Sequence, residues 1–188
     1  MTQFEYLSVA VSIVLSLSVA HILVNIRAVF SPERRYWVHA VWVVIALFTH
    51  LLIWWGFWSY REVESWNLAT FTMLLVNPGI LFVGSAALVL ENPDSDWDSH
   101  FFRVRRSFFT AFGCIPAVSL VRDLILFDVP ILTPTHAPEL FMTAICVAAW
   151  KLETRRAQAI FATCAVLVMV GAAVSIWLQP GASRSLVS

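Results

Sequence analysis

Seven residues could do chemistry in this chain: Glu5, His21, His39, His50, Asn77, Arg122 and Asp123. Each interrupts or flanks a stretch that is otherwise apolar. Imidazole titrates near neutrality, so a ladder of histidines suits a proton or ion relay. Ionisable groups inside an apolar segment are costly to hold there and mark candidate pathways. His39 and His50 lie eleven residues apart, about three helical turns, and so share one face with Ala46 and Trp54. Asn77 precedes Pro78 and Gly79, an amide followed by a helix breaker and the most flexible residue. Pro78 has no N–H for the carbonyl of Leu74. A broken helix of this kind can expose carbonyls to a ligand at mid-depth. The plainer reading of every one of these groups is a polar side chain satisfied by a neighbouring helix.

Other chemistries have less behind them. His21 with His39, or His50 with one of them, could ligate a single haem from facing helices; otherwise no cofactor is expected. Asp94-Ser95-Asp96-Trp97-Asp98-Ser99-His100 is acidic enough to suggest calcium. An EF-hand loop, however, needs Gly at its sixth position and Glu at its twelfth. Counted from Asp94, these are Ser99 and Arg105. Asp98 or Ser99 is expected to cap a helix instead. Cys114, Cys146 and Cys164 are far apart, with no C-x-x-C pair, and read as small apolar residues. There is no H-E-x-x-H and no phosphate loop, so an enzyme is not expected.

The elements that must position these residues are helices. The chain of 188 residues is 60% hydrophobic and 13% charged, with a mean hydropathy of +0.79. Soluble domains carry roughly 25% charge. The balance therefore implies a polytopic membrane protein, and the zero net charge offers no basic face to nucleic acid. Apolar runs predict six spans, near 4–26, 36–60, 67–90, 105–127, 137–154 and 158–178, in a single domain over 1–178. About 20 residues suffice to cross the bilayer. The fifth span is the shortest, limited by Pro134 and Pro138. The first lacks the basic start of a signal peptide and reads as a retained helix. Residues 179–188 read as a flexible tail.

Loop charges orient the spans. Arg27, Arg34, Arg35, Arg103, Arg105, Arg106, Lys151, Arg155 and Arg156 fall on one side; Arg61, Arg122 and Arg184 fall on the other. That alternation predicts both termini outside. Trp37, Trp54, Trp55, Trp58, Trp66, Trp150 and Trp177 lie near span ends, as interfacial aromatics do. Trp42 lies inside a span and Trp97 in a loop. The expected fold is an all-α bundle of six transmembrane helices, with the third kinked at Pro78 and the fourth at Pro116. No internal repeat is visible.

The first span is polar on two faces: Glu5, Ser8, Ser12 and Ser16 on one, Ser18, His21 and Asn25 on roughly the other. It is expected to be central. In depth, Glu5, Arg122 and Asp123 would stand at the outer mouth, His50 and Asn77 at the midplane, and His21 and His39 on the inner side.

Phe4-Glu5-Tyr6-Leu7-Ser8-Val9, Ser16-Leu17-Ser18-Val19-Ala20-His21-Ile22-Leu23, Tyr36-Trp37-Val38-His39 and Trp54-Trp55-Gly56 resemble a group of small uncharacterised bacterial multi-pass inner-membrane proteins. The likeness covers about the first half of the chain. It implies a bacterial inner membrane and no activity. The leading expectation is a channel or transporter for a small solute or ion such as protons. The alternative is a non-transporting membrane partner or sensor subunit. The expected surroundings are the lipid bilayer, further copies of the chain in a homo-oligomer, or a membrane protein partner.

Overall fold

The computed structural model describes residues 2–30, 36–63, 66–89 and 96–178. Every regular element among them is helical. Arg34, Arg35, Asp94, Ser95, Arg184 and the expected tail 179–188 lie outside the described residues.

Local sequence sets the helix ends. α1 (Gln3–Val24) opens with a capping box: Thr2 Oγ1 accepts the Glu5 N–H, and the Glu5 carboxylate accepts the Thr2 N–H at 2.8 Å. A single turn, α2 (Ile26–Val29), follows. α3 (Trp37–Phe57) continues into a 3₁₀ segment, Trp58–Glu62. α4 (Leu68–Leu88) is capped by Asn67, whose side chain accepts the Thr70 N–H. α5 (Trp97–Phe127) is the longest at 31 residues. It ends at Asp128, whose positive φ of 53° lets the Val129 N–H turn back to the Asp123 carbonyl. A 3₁₀ turn, Pro134–His136, leads into α6 (Ala137–Lys151), and α7 is Arg155–Leu178.

Five segments are long and apolar enough to cross a membrane: Gln3–Val24, Trp37–Arg61, Leu68–Leu88, Trp97–Phe127 and Arg155–Ser175. They match the first, second, third, fourth and sixth expected spans. The fifth corresponds to α6, whose 15 residues reach only about 22 Å at 1.5 Å per residue. That falls short of a hydrocarbon core of about 30 Å.

The start of the fourth long helix is also corrected. α5 begins at Trp97 rather than near 105, and its cap is Asp96, not Asp98 or Ser99; the Asp96 carboxylate accepts the Ser99 N–H. Trp97 is therefore buried in a first turn instead of standing in a loop. α4 stays α-helical through Asn77-Pro78-Gly79, as α5 does through Pro116. In apolar surroundings the intact helix satisfies every other backbone group nearby, so one missing bond does not unwind it.

α5 organises the packing, with its broadest contacts on α4 and α6. α1 lies mainly against α4, and α3 touches α1, α4 and α7. α4 approaches α5 closely at Gly84, where an added Cβ would meet Ala111 Cβ at 3.3 Å. The core centres on Trp42 of α3, fully buried, with Phe109 at 4.9 Å, Phe108 at 5.6 Å and Phe112 at 6.0 Å between ring centroids. Outside, Trp54, Trp55 and Trp58 are exposed in a row near the end of α3, as an interfacial belt requires. Large apolar side chains such as Leu51, Ile125 and Leu167 also face outward. Such a surface, on five apolar helices, is consistent with an integral membrane protein.

Candidate functional site

Ring contacts sort the helix ends. Phe4 stacks on Phe57 at 5.3 Å, Tyr6 on Phe71 at 6.2 Å and Tyr60 on Phe127 at 5.7 Å. The starts of α1 and α4 and the finishes of α3 and α5 thus share one end of the bundle. Arg122, Asp123 and Glu5 lie at this end. His39 lies at the other.

At the first end a buried ionic cluster forms where α5 finishes and α6 starts. Arg122 Nε and Nη2 both donate to Asp123 Oδ1, at 3.1 and 3.0 Å. Although adjacent residues point about 100° apart on a helix, the long arginine folds back to reach its neighbour. Its guanidinium also lies 5.3 Å from the Tyr60 ring centroid. On the opposite side of the carboxylate, Asp123 Oδ2 is 3.4 Å from His136 Nε2, and His136 Nδ1 is 3.2 Å from the Ile131 carbonyl. Asp123 and His136 are 2% and 1% exposed. Both imidazole nitrogens thus face oxygen acceptors. Glu5 belongs to the α1 capping box at the same end.

In the middle, two helix pairs are pinned by single polar contacts. His50 Nδ1–H donates to the Ala46 carbonyl at 2.7 Å, and Ser18 of α1 donates to His50 Nε2 at 2.6 Å. Asn77 Nδ2 donates to Ser119 Oγ of α5 at 2.8 Å. His50 and Asn77, both expected at the midplane, are each held by another partner. The Ala46 and Ser18 contacts together engage both ring nitrogens of His50.

At the second end, histidines close a helix. His39 Nε2–H donates to the Leu88 carbonyl at 2.8 Å, and His100 Nε2–H donates to the Ala87 carbonyl at 3.2 Å. These are among the carbonyls that the end of α4 leaves without intrahelical partners. Trp97 stacks on His39 at 4.6 Å and donates its Nε1–H to the Ala28 carbonyl at 2.8 Å. Among the described residues, none bonds His39 Nδ1. His21 is exposed on α1, whereas His39 is buried.

Beyond this cap lie ion pairs. Arg105, buried, and Arg106, exposed, both bond Glu153 between α6 and α7, and Arg155 bonds Asp98. The guanidinium of Arg105, with that of Arg106 behind it, holds the Glu153 carboxyl below the usual carboxylate range. Burial pushes the Tyr36 hydroxyl up to about 12, with the charge of Asp98 adding to it. Gln158 of α7 donates to the Ala149 and Leu152 carbonyls and so closes α6. Among the described residues, no group of three His, Cys, Asp or Glu side chains converges as a metal site would.

Sequence reasoning singled out Arg122 and Asp123 but missed His136, which lies outside the apolar runs, and Tyr60, which closes one of them. It also left His100 in a loop. The signal for His100 was present: Trp97, Phe101, Arg105 and Phe108, all buried, recur at three- and four-residue spacing across the start of α5. No family model, curated protein or solved structure matches this chain.

Proposed function

We propose that this chain is a multi-pass protein of a bacterial inner membrane that acts as a non-transporting subunit or sensor. The observation that carries this reading is the pairing of the mid-depth polar groups. Ser18 with His50, and Asn77 with Ser119, are one-to-one contacts across helix interfaces, and such contacts hold membrane helices together. α6 would make a sixth, short crossing by local thinning of the bilayer. Both termini would then be outside. The ion pairs of Arg105, Arg106 and Arg155 support this topology, because they gather basic loops at one end. Exposed His21 and Ser16 on α1 support a homo-oligomer, since polar groups facing lipid gain from a partner. Purified protein in liposomes should conduct no more than empty vesicles under pH or ion gradients, and a membrane protein should co-purify with it. Gradient-driven flux well above that of empty vesicles refutes this reading.

A second reading, passage of protons, is supported by Asp123 and His136, a buried acid–imidazole pair beside Arg122. In that case flux would collapse in Asp123→Asn while the helical fold persists.

A further inference from the structure

A groove of about 300 Å³ runs between α5 and α6 and opens outward. Phe109, Gly113 and Cys114 form one wall, and Cys146, Val147 and Trp150 the other. α5 and α6 approach closely at Gly113, where an added Cβ would meet Cys146 Cβ at 3.1 Å. Its lining is almost wholly apolar, so it suits a hydrocarbon chain. Its mouth differs. The Arg106 guanidinium lies 5.3 Å from the Trp150 ring centroid, and exposed Lys151 follows immediately. Arg105 and Arg106 share the single carboxylate of Glu153, which leaves that trio one positive charge in excess. An apolar slot topped by an interfacial tryptophan and excess positive charge matches a lipid whose headgroup is anionic. The short α6 adds a reason for a lipid to sit here. Where α6 falls short of the bilayer thickness, a chain lying along α5 covers apolar surface that α6 leaves bare.

We propose that this groove is a binding site for one anionic phospholipid. Its phosphate lies against Arg106 and Lys151, and one acyl chain passes Trp150 down to Cys114 and Cys146. The proposal rests on the membrane reading above.

Native mass spectrometry of the detergent-purified protein, with phosphatidylglycerol or phosphatidylcholine added, tests it. Wild type should keep one phosphatidylglycerol in preference to phosphatidylcholine. Arg106→Gln, at an exposed side chain, should weaken phosphatidylglycerol retention about fivefold. Val147→Trp, which fills the groove from an exposed position, should abolish retention of both lipids at this site. Equal retention of the two lipids by wild type overturns the proposal, as does undiminished retention in both variants. An alkaline carbonate wash separates this outcome from failure of the membrane reading. Protein that stays with the membranes yet shows no lipid preference refutes the groove alone. Protein released by the wash refutes both.

Discussion

Ser18 Oγ and His50 Nε2 meet at 2.6 Å, thirty-two residues apart in sequence, and join α1 to α3 in the middle of the bundle. Ser18→Ala leaves a buried imidazole nitrogen without a donor. Interhelical hydrogen bonds in membrane bundles average about 0.6 kcal/mol and reach about 1.7. A double-mutant cycle with Ser18→Ala and His50→Phe, followed by thermal unfolding in detergent, should give a coupling in that range. Additive effects would show that the contact contributes nothing.

Two glycines of α4 should respond in opposite directions. Gly84 faces Ala111 with no room to spare, whereas a Cβ at Gly79 meets nothing within 4 Å. Gly79→Ala should stabilise the protein by about 0.5–1 kcal/mol, the ordinary gain in a helix interior. Gly84→Leu should destabilise it by about 1–3 kcal/mol by forcing α4 away from α5. Melting temperatures of the two variants, measured in the same detergent, check the pair.

The Asp123 carboxylate lies between Arg122 and His136. Asp123→Ala strands Arg122 in a largely buried place without its carboxylate. Breaking a buried pair from one side costs about 3–5 kcal/mol. Asp123→Asn, which keeps the shape and one acceptor oxygen, should cost less. The order alanine worse than asparagine, read from unfolding midpoints, is the expected result; equal stability of both variants to wild type would contradict it.

Glu153 introduces a pH dependence. Its carboxyl is held below the ordinary range by Arg105 first and Arg106 second. Its contribution to stability is therefore complete above the ordinary carboxylate value and disappears as the pH falls through the lowered one. Unfolding temperature should decline on acidification, and Glu153→Gln should flatten part of that decline. Because the pair is exposed on the Glu153 side, added salt should shrink the difference between wild type and variant.

The long helices were legible because hydropathy alone reports them, and four of the five begin within three residues of the expected spans. The start of the fourth was not, since Asp96-Trp97-Asp98-Ser99-His100 is polar enough to end an apolar run while still presenting buried residues at helical spacing. Arg122 and Asp123 stood out as charges within apolar sequence. Their partners His136 and Tyr60 did not, because a histidine after Pro134 and a tyrosine near a helix end look like loop and interface residues until the elements are folded together. Pairings such as Asn77 with Ser119 depend on how each helix is rotated about its axis. Serines are numerous on several helices, and nothing in their spacing says which one faces the amide.

The end of α4 is held from two directions, by His39 from a helix made earlier in the chain and by His100 from a helix made later. During synthesis, the carbonyl of Leu88 can therefore find its imidazole as soon as α4 meets α3. The carbonyl of Ala87 must wait until the ribosome has delivered the first turn of α5. That same turn carries Trp97, which reaches back to Ala28. Arrival of this one turn thus completes the closure of both α4 and the first helical hairpin, which makes it a natural commitment point in assembly.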